Sequence, residues 1–344
     1  MGGNGGLSIC CCYPWNNFCC LSSKIFSKGN YDRSNQRMKF DCVSVGAWAA
    51  FDKIWSLDSE IVDGGTSQIL HDEYVDKLFF GDCSFNVGVA SKRLGLNVGV
   101  VSVVGQDFMD LEYAKFLQDL GIDISGVTVL TSKSSGFNMN MRTPDGNTFC
   151  ITKADASLEQ DRITSYGKAI ESAQWVVISE KFSEYALRAA RVAKNQGAKV
   201  LINGSIGNGS DVSRGFLSIA DVLVTNESEF AALQRFGMEE LRPPIVVTTL
   251  GAKGAKLHNG EEIIFIPPVS TSGVIDTTGA GDSLVAGLIA GLVKGFSMED
   301  SVRIGACTAS LVIKEVGCQS RQYDWDEVRE IFEAIRPQED GHGK

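Results

Sequence analysis

Asp276-Thr277-Thr278-Gly279-Ala280-Gly281-Asp282 runs straight into Ser283-Leu284-Val285-Ala286-Gly287-Leu288-Ile289-Ala290-Gly291-Leu292, and this junction decides how the chain is read. Gly279 and Gly281 let the backbone turn tightly and Ala280 keeps the bulk low, so successive N–H groups can point into one small space where a helix begins. Helix N-termini carry unpaired donors and roughly half a positive charge, which suits an anion such as a phosphoryl group. Asp282 closes that space. A carboxylate beside an anion site is electrostatically out of place unless it has chemistry to perform, and accepting a proton from an attacking hydroxyl is such chemistry. Taken alone, the same residues also read as a turn with an Asp helix cap.

Outward from this junction, short runs rich in Val and Ile recur at Val43–Val45, Val98–Val104, Trp175–Ile178, Lys199–Ile202, Val222–Val224 and Ile245–Thr248. Helical patterns lie between them: Phe85–Leu94 before Gly95, Leu111–Leu120 before Gly121, and Glu184–Asn195 before Gly197, each with glycine at the stop position. The alternation predicts an α/β fold, doubly wound, with a mostly parallel sheet covered by helices on both faces. Two stretches break the rhythm. Lys53 to Phe80 alternates polar and apolar around Asp63-Gly64-Gly65, and Gly136–Arg142 with Asn147–Thr152 flanks the turn Pro144-Asp145-Gly146 as a hairpin. Both read as antiparallel. Phe137, Met139 and Met141 share one face of the hairpin and Asn138, Asn140 and Arg142 the other, so one face can pack while the other meets hydroxyls. A small β-lid over a polar ligand fits this pattern, and so does a plain surface hairpin.

A chain of 344 residues accommodates one large α/β domain with a small appendage, or two ordinary domains. With 44% hydrophobic and 22% charged residues, and no apolar run near the ~20 residues a membrane span needs, the folded body is expected to be soluble. The formal net charge of -10 disfavours nucleic acid as a partner. Half of the 10 cysteines stand at Cys10-Cys11-Cys12 and Cys19-Cys20 and the rest are scattered, without zinc spacing or a disulfide framework, which suggests a reducing compartment with the cytoplasm as default. His71, His258 and His342 fit no metal or triad spacing. Residues 1–37 are Gly-rich, Cys-rich and nearly free of acids, and are expected to be a disordered extension, sequence upstream of a start at Met38, or a targeting tail. Gly6 stands where a myristoylation signal calls for Ser or Thr. The folded domain is expected over 38–336, with lid segments near 53–80 and 134–152 and a flexible tail over 337–344.

Asp276–Asp282 followed by a small apolar helix resembles the C-terminal signature of the PfkB, or ribokinase-like, family of sugar and nucleoside kinases, and the resemblance covers the chain from about Phe40 to Phe332. It implies a ribokinase-like fold, with Asp282 as catalytic base and the amides of Gly279, Ala280 and Gly281 as an anion hole. Asn226-Glu227-Ser228-Glu229, after an apolar strand, is similar to the family's NxxE motif, which implies that Asn226 and Glu229 serve the nucleotide and that Glu229 organises water around Mg²⁺. Alone it reads as a helix cap with acids in the first turn. Thr248-Thr249-Leu250-Gly251-Ala252-Lys253-Gly254 resembles the ATP-side loop, with Thr249, Gly251 and Gly254 as its binding positions. A lone glycine pair would be an ordinary connection, and it is the order of the three motifs along the chain that carries the resemblance.

The acceptor side departs from the family pattern. Where relatives carry GGxxxN, this chain has Gly81-Asp82-Cys83-Ser84-Phe85-Asn86, so Asp82 replaces the second glycine. The resemblance assigns Gly81, Asn86, Asp52, Asn140 and Glu180 to substrate, although Asp52 lies one position further from Gly46 than in relatives. Asp82 brings a carboxylate and a Cβ where close approach is expected, and would either bond hydroxyls or impair binding. The implied cofactors are ATP and Mg²⁺, with a monovalent cation as a further one. The implied partners are a small sugar or nucleoside, and a second copy of the chain through the lid. No basic cluster marks a site for a sugar phosphate, which favours an uncharged acceptor. Two functions follow: γ-phosphate transfer to a hydroxymethyl group, or a catalytically weak or inactive nucleotide- or sugar-binding regulator with the same fold. A dinucleotide-dependent dehydrogenase would need GxGxxG after the first strand, and Gly46-Ala47-Trp48-Ala49-Ala50-Phe51 does not supply it.

Overall fold

A computed structural model of the protein describes residues 39–146, 148–204, 206, 210–260 and 262–336. The expectations for 1–37, for a start at Met38 and for a tail over 337–344 lie outside the described residues. The first part of the chain forms β1 (Phe40–Val45), β2 (Phe51–Ser56), β3 (Phe79–Phe80), α1 (Cys83–Arg93), β4 (Val98–Gly105), α2 (Asp107–Asp110), α3 (Tyr113–Asp119) and β5 (Asp123–Leu130), then the hairpin β6 (Phe137–Arg142) and β7 (Thr148–Lys153). Next come β8 (Ala173–Ser179), α4 (Glu184–Asn195), β9 (Lys199–Asn203), α5 (Asp211–Ile219), β10 (Val222–Asn226), α6 (Glu227–Arg235), β11 (Ile245–Thr249), β12 (Ala255–Asn259) and β13 (Glu262–Ile266). The helices α7 (Ala280–Val293), α8 (Met298–Val312) and α9 (Trp325–Ile335) follow.

The main sheet is nine-stranded in the order β13-β12-β11-β10-β9-β8-β1-β4-β5, parallel from β11 to β5 and antiparallel at the β12–β13 edge. Every Val- and Ile-rich run named above falls in its parallel part. Such strands are covered on both faces, which is why β4 is buried at every residue and reads as a continuous apolar run rather than an alternating one. One face packs Phe85, Leu94, Val285, Leu288 and Leu311 against the sheet, and the other packs Tyr185, Leu187 and Phe216. Helix α7 is apolar all round and buried along nearly its whole length. It lies close against α8 because a Cβ at Gly287 would come within 2.7 Å of the Gly305 Cα.

The second sheet has the order β3-β2-β6-β7. Both lid segments are antiparallel within themselves, as expected, β2 with β3 and β6 with β7, where Met139 stands opposite Ile151, but the two segments join through a parallel pairing of β2 with β6. A crossover explains it: the chain leaves β2, builds β4 and β5 of the main sheet, and returns before β6 begins, so the two strands enter from the same end. The register sets Asp52 opposite Asn138 and Ile54 opposite Asn140, and this polar face is the buried one, while Phe137, Met139 and Met141 point to a half-buried outer face. Helix α3 starts at Tyr113 rather than Leu111 because Glu112 takes a left-handed conformation (φ 61°) that ends one helical turn and opens the next. Among the described residues no helix is long and apolar enough to cross a membrane.

Candidate active site

In the main sheet the connections reverse direction between β1 and β8: the chain builds outward through β4 and β5 on one side and through β9, β10 and β11 on the other. Open α/β sheets bind ligands at the carboxyl ends of strands flanking such a reversal. Gly46 follows β1 there, and a Cβ on it would lie 3.3 Å from the Ser179 carbonyl at the end of β8. The N-terminus of α7 meets the same edge through Asn203, the last residue of β9, whose Nδ2 donates to Asp282 Oδ1 at 3.2 Å.

The turn before α7 is braced from within. Asp276 Oδ1 accepts from the N–H and hydroxyl of Thr278, its Oδ2 accepts from the Gly317 N–H at 3.0 Å, and Gly279 caps the helix in a left-handed conformation (φ 78°). A Cβ on Gly279 would lie 2.8 Å from Cys318 Sγ, so both its backbone angle and its surroundings call for glycine. The Ala280 N–H donates to the Thr277 carbonyl at 3.2 Å. No acceptor bonds the N–H groups of Gly279, Gly281 or Asp282 among the described residues, and open space lies where Gly281 would carry a Cβ. The donors without a partner among the described residues are therefore those of Gly279, Gly281 and Asp282 rather than an unbroken run through Ala280.

Asp282 is buried and held from two sides. Asn86 Nδ2, from α1, donates to its Oδ2 at 3.0 Å, opposite the Asn203 bond to Oδ1. Gln319 Nε2 donates to Asn86 Oδ1 at 2.9 Å, which fixes the amide so that its NH₂ faces the acid. Burial pushes the Asp282 carboxyl up to about 7; the bond from Asn86 opposes the rise and the charge of Asp52 adds to it. Asp52, on the buried face of β2, accepts from Asn138 Nδ2 at 2.9 Å and from Cys318 Sγ at 3.7 Å, and burial lifts it to about 6. Gly81 leaves room for this carboxylate: a Cβ there would overlap Asp52 Oδ2. Glu180, just past β8, is raised by burial to about 8, with Glu229, Asp282 and Asp82 adding to the rise. It does not cap the following helix, because Ser183 does, accepting from the Ala186 N–H. Asn140 lies further along the same lid face as Asn138 and makes no bond to these acids among the described residues.

At the neighbouring strand ends, the register places Asn226 of β10 beside Thr249 of β11. Asn226 and Glu229 form a capping box: the Glu229 N–H donates to Asn226 Oδ1 at 2.9 Å and Glu229 Oε2 accepts from the Asn226 N–H at 2.8 Å. One Glu229 oxygen stays outside the box. Gly251 (φ 58°) meets nothing within 4 Å where a Cβ would stand, so the loop after β11 is open to a flat ligand, whereas Gly254 is pressed against the Pro268 nitrogen. Sequence reasoning passed over Asn203, Cys318 and Gln319, and placed Asn138 on the polar lid face without assigning it to the site. Asn203-Gly204 after an apolar run was a readable signal, since strand ends are where such sheets bind. Cys318 and Gln319, in the irregular stretch after α8, had none.

The crowded acids set a pH dependence of stability. Asp282 and Asp82 both rise from 3.8 to about 7, so between these values the folded state binds more protons than the unfolded one, and stability falls as pH increases through that window. The ligand-free protein is expected to melt at a higher temperature near about pH 5 than near about pH 8, and Asp82→Asn to flatten the difference. A melting temperature that climbs over that interval would contradict it.

The family model for pfkB family carbohydrate kinases matches residues 79–325. A nucleoside kinase of Methanocaldococcus jannaschii is 29% identical over 272 residues, covering 75% of this chain and 87% of that protein. The crystal structure of M. jannaschii nucleoside kinase, described as an archaeal member of the ribokinase family, superposes with a TM-score of 0.74 at 26% identity over 86% of this chain and 99% of that one. Arabidopsis thaliana ribokinase, solved with ribose and ATP, shares the fold with a TM-score of 0.69 at 22% identity, over 86% of this chain and 99% of that one.

Proposed function

Because the chain belongs to the pfkB family of carbohydrate kinases, we propose that it transfers the γ-phosphate of ATP to a hydroxymethyl group of a sugar or nucleoside, with Asp282 as the base. The observation that carries this reading is one buried carboxylate, gripped by Asn86 and Asn203, at a helix N-terminus whose Gly279, Gly281 and Asp282 amides have no partner among the described residues. Asp282 takes the proton of the acceptor hydroxyl as its oxygen attacks, and a carboxyl poised near neutral pH is suited to that task. The unpaired amides steady the charge on the phosphoryl oxygens in transit.

ATP supplies the phosphoryl group and, with Mg²⁺, the electrophile. The open Gly251 loop and the adjoining ends of β10 and β11 fit the nucleotide. Among the described residues no group of three or more His, Cys, Asp or Glu forms a metal cage, which suits an ion carried on the phosphates and reached by the spare Glu229 oxygen through water. The outer face of the lid leaves Phe149 and Ile151 exposed beside half-buried Met139 and Met141, which supports a homodimer through the lid. ADP formation measured with ribose, fructose, inosine, adenosine and cytidine tests the activity. Turnover on at least one acceptor is expected. Nucleotide binding without ADP formation on any of them would favour the regulator reading instead.

A further inference from the structure

Asp82 stands where the family's pattern has a glycine, and its backbone keeps a glycine's conformation: φ 74°, ψ 144° at the residue preceding α1. That region favours residues without a Cβ, so the side chain is retained against local strain. Its carboxylate is divided between two roles. Oδ2 accepts from the Ala49 N–H at 2.8 Å and the Trp48 N–H at 3.1 Å, with Asn138 Nδ2 at 3.4 Å, and so ties the β1–β2 connection to the start of α1. Oδ1 is sealed from solvent and has no partner among the described residues. The residue is only 3% exposed. A buried carboxylate oxygen without a donor is costly, and orphans of this kind call for an explanation.

The surroundings indicate which donor is missing. Asp52 and Asp282 both act electrostatically on Asp82, and Glu180 is in turn raised by it, so Asp82 sits among the groups assigned above to the acceptor and the base. Burial is the first cause of its rise to about 7, and the Ala49 bond opposes it. Lys181, a cation that feels the Asp82 charge, is committed to the Trp48 ring, with Nζ 3.6 Å from its centroid. The cluster of acids thus offers acceptors for hydroxyl hydrogens and concentrates negative charge. An acceptor carrying its own phosphate or carboxylate would meet that charge unscreened, whereas a neutral polyhydroxyl compound would supply the donors the acids lack.

We propose that Asp82 is a specificity-determining residue whose free oxygen accepts a hydroxyl of an uncharged sugar or nucleoside and whose charge turns away phosphorylated and acidic acceptors. The proposal rests on the kinase reading above and assigns it a substrate class. No covalent step is added; the residue binds and discriminates.

The test compares the full-length protein with Asp82→Gly and Asp82→Asn, using the best neutral acceptor from the panel, and fructose against fructose 6-phosphate. Asp82→Gly relieves the backbone strain and removes a buried charge but leaves the Ala49 and Trp48 amides without their acceptor, so its melting temperature is expected to change little. Its KM for the neutral acceptor is expected to increase roughly 10- to 100-fold with kcat changed far less, and its preference for fructose over fructose 6-phosphate to shrink by about tenfold or more. Asp82→Asn, which keeps an acceptor for the Ala49 and Trp48 amides but loses the charge, is expected to lose discrimination while keeping most of its thermal stability. Unchanged KM and preference in Asp82→Gly would overturn the proposal, and so would an equal loss on every acceptor together with a lower melting temperature. If the unmutated protein forms no ADP with any acceptor, the kinase reading fails on its own. Calorimetric binding of the neutral sugars or nucleosides to the protein and to Asp82→Gly then decides the Asp82 assignment, with equal affinities overturning it.

Discussion

Asp282→Asn is expected to lower kcat by at least ~10²-fold while leaving nucleotide affinity nearly unchanged. The substitution keeps the volume of the side chain and removes its ability to take a proton. It also tests the surrounding bonds. Asn86 and Asn203 each donate an amide N–H to one oxygen of Asp282, and Asn86 cannot turn its carbonyl toward the site because Gln319 holds it. An asparagine at this position satisfies only one of the two donors, yet it also removes a carboxyl that burial has pushed up to about 7, so the melting temperature is expected to change little. The pH profile separates the base from the scaffold. In the unmutated protein kcat/KM is expected to rise with pH and level off above about 7, as Asp282 loses its proton, and the variant is expected to lose that limb. Turnover within a few-fold of the unmutated protein would remove Asp282 from the role of base.

The main sheet was legible in the sequence because parallel strands buried on both faces leave a run of Val and Ile that no helix pattern imitates, and because Gly95, Gly121 and Gly197 each mark a helix end with a positive φ. The turn before α7 was legible for a related reason: Gly279, with φ 78° and Cys318 against it, sits where backbone geometry tolerates little else, whereas Gly281 lies in the helix with open space around it. What stayed hidden depends on contacts distant along the chain. The parallel pairing of β2 with β6 follows from a crossover, and no local alternation distinguishes it from a hairpin. The hairpin faces were read correctly as polar and apolar. The burial of the polar one could not be read, because it is the carboxylates of Asp52 and Asp82, recruited from other segments, that make it the inner face. Asn138 and Cys318, which hold Asp52, and Gln319, which orients Asn86, are polar or sulfur-bearing residues of common type at unremarkable spacings. Their meaning appears only once the fold brings residues more than 80 positions apart into one cluster.

Gly81→Ala is expected to reduce kcat/KM by ~10²-fold, mainly through Asp52 rather than through the backbone. The Gly81 backbone does not occupy the left-handed region, so alanine can adopt it; what alanine cannot share is the volume already filled by the Asp52 carboxylate. The backbone at Gly81 has little room to retreat. Its N–H donates to the Ala50 carbonyl at 3.2 Å, and its own carbonyl accepts from the Tyr113 hydroxyl at 3.3 Å. The added methyl group therefore displaces Asp52 from Asn138 and Cys318, and if Asp52 serves the acceptor as proposed, a misplacement of this size is sufficient for a loss of that order. A double-mutant cycle makes the cause visible. In an Asp52→Ala background the clash has no partner, so adding Gly81→Ala is expected to change kcat/KM by less than about threefold, a strong departure from additivity between two residues in contact. Independent effects that multiply in the double variant would mean that Gly81 serves the acceptor directly, as the glycine of the family pattern suggests, and that the space it leaves for Asp52 is incidental to its function.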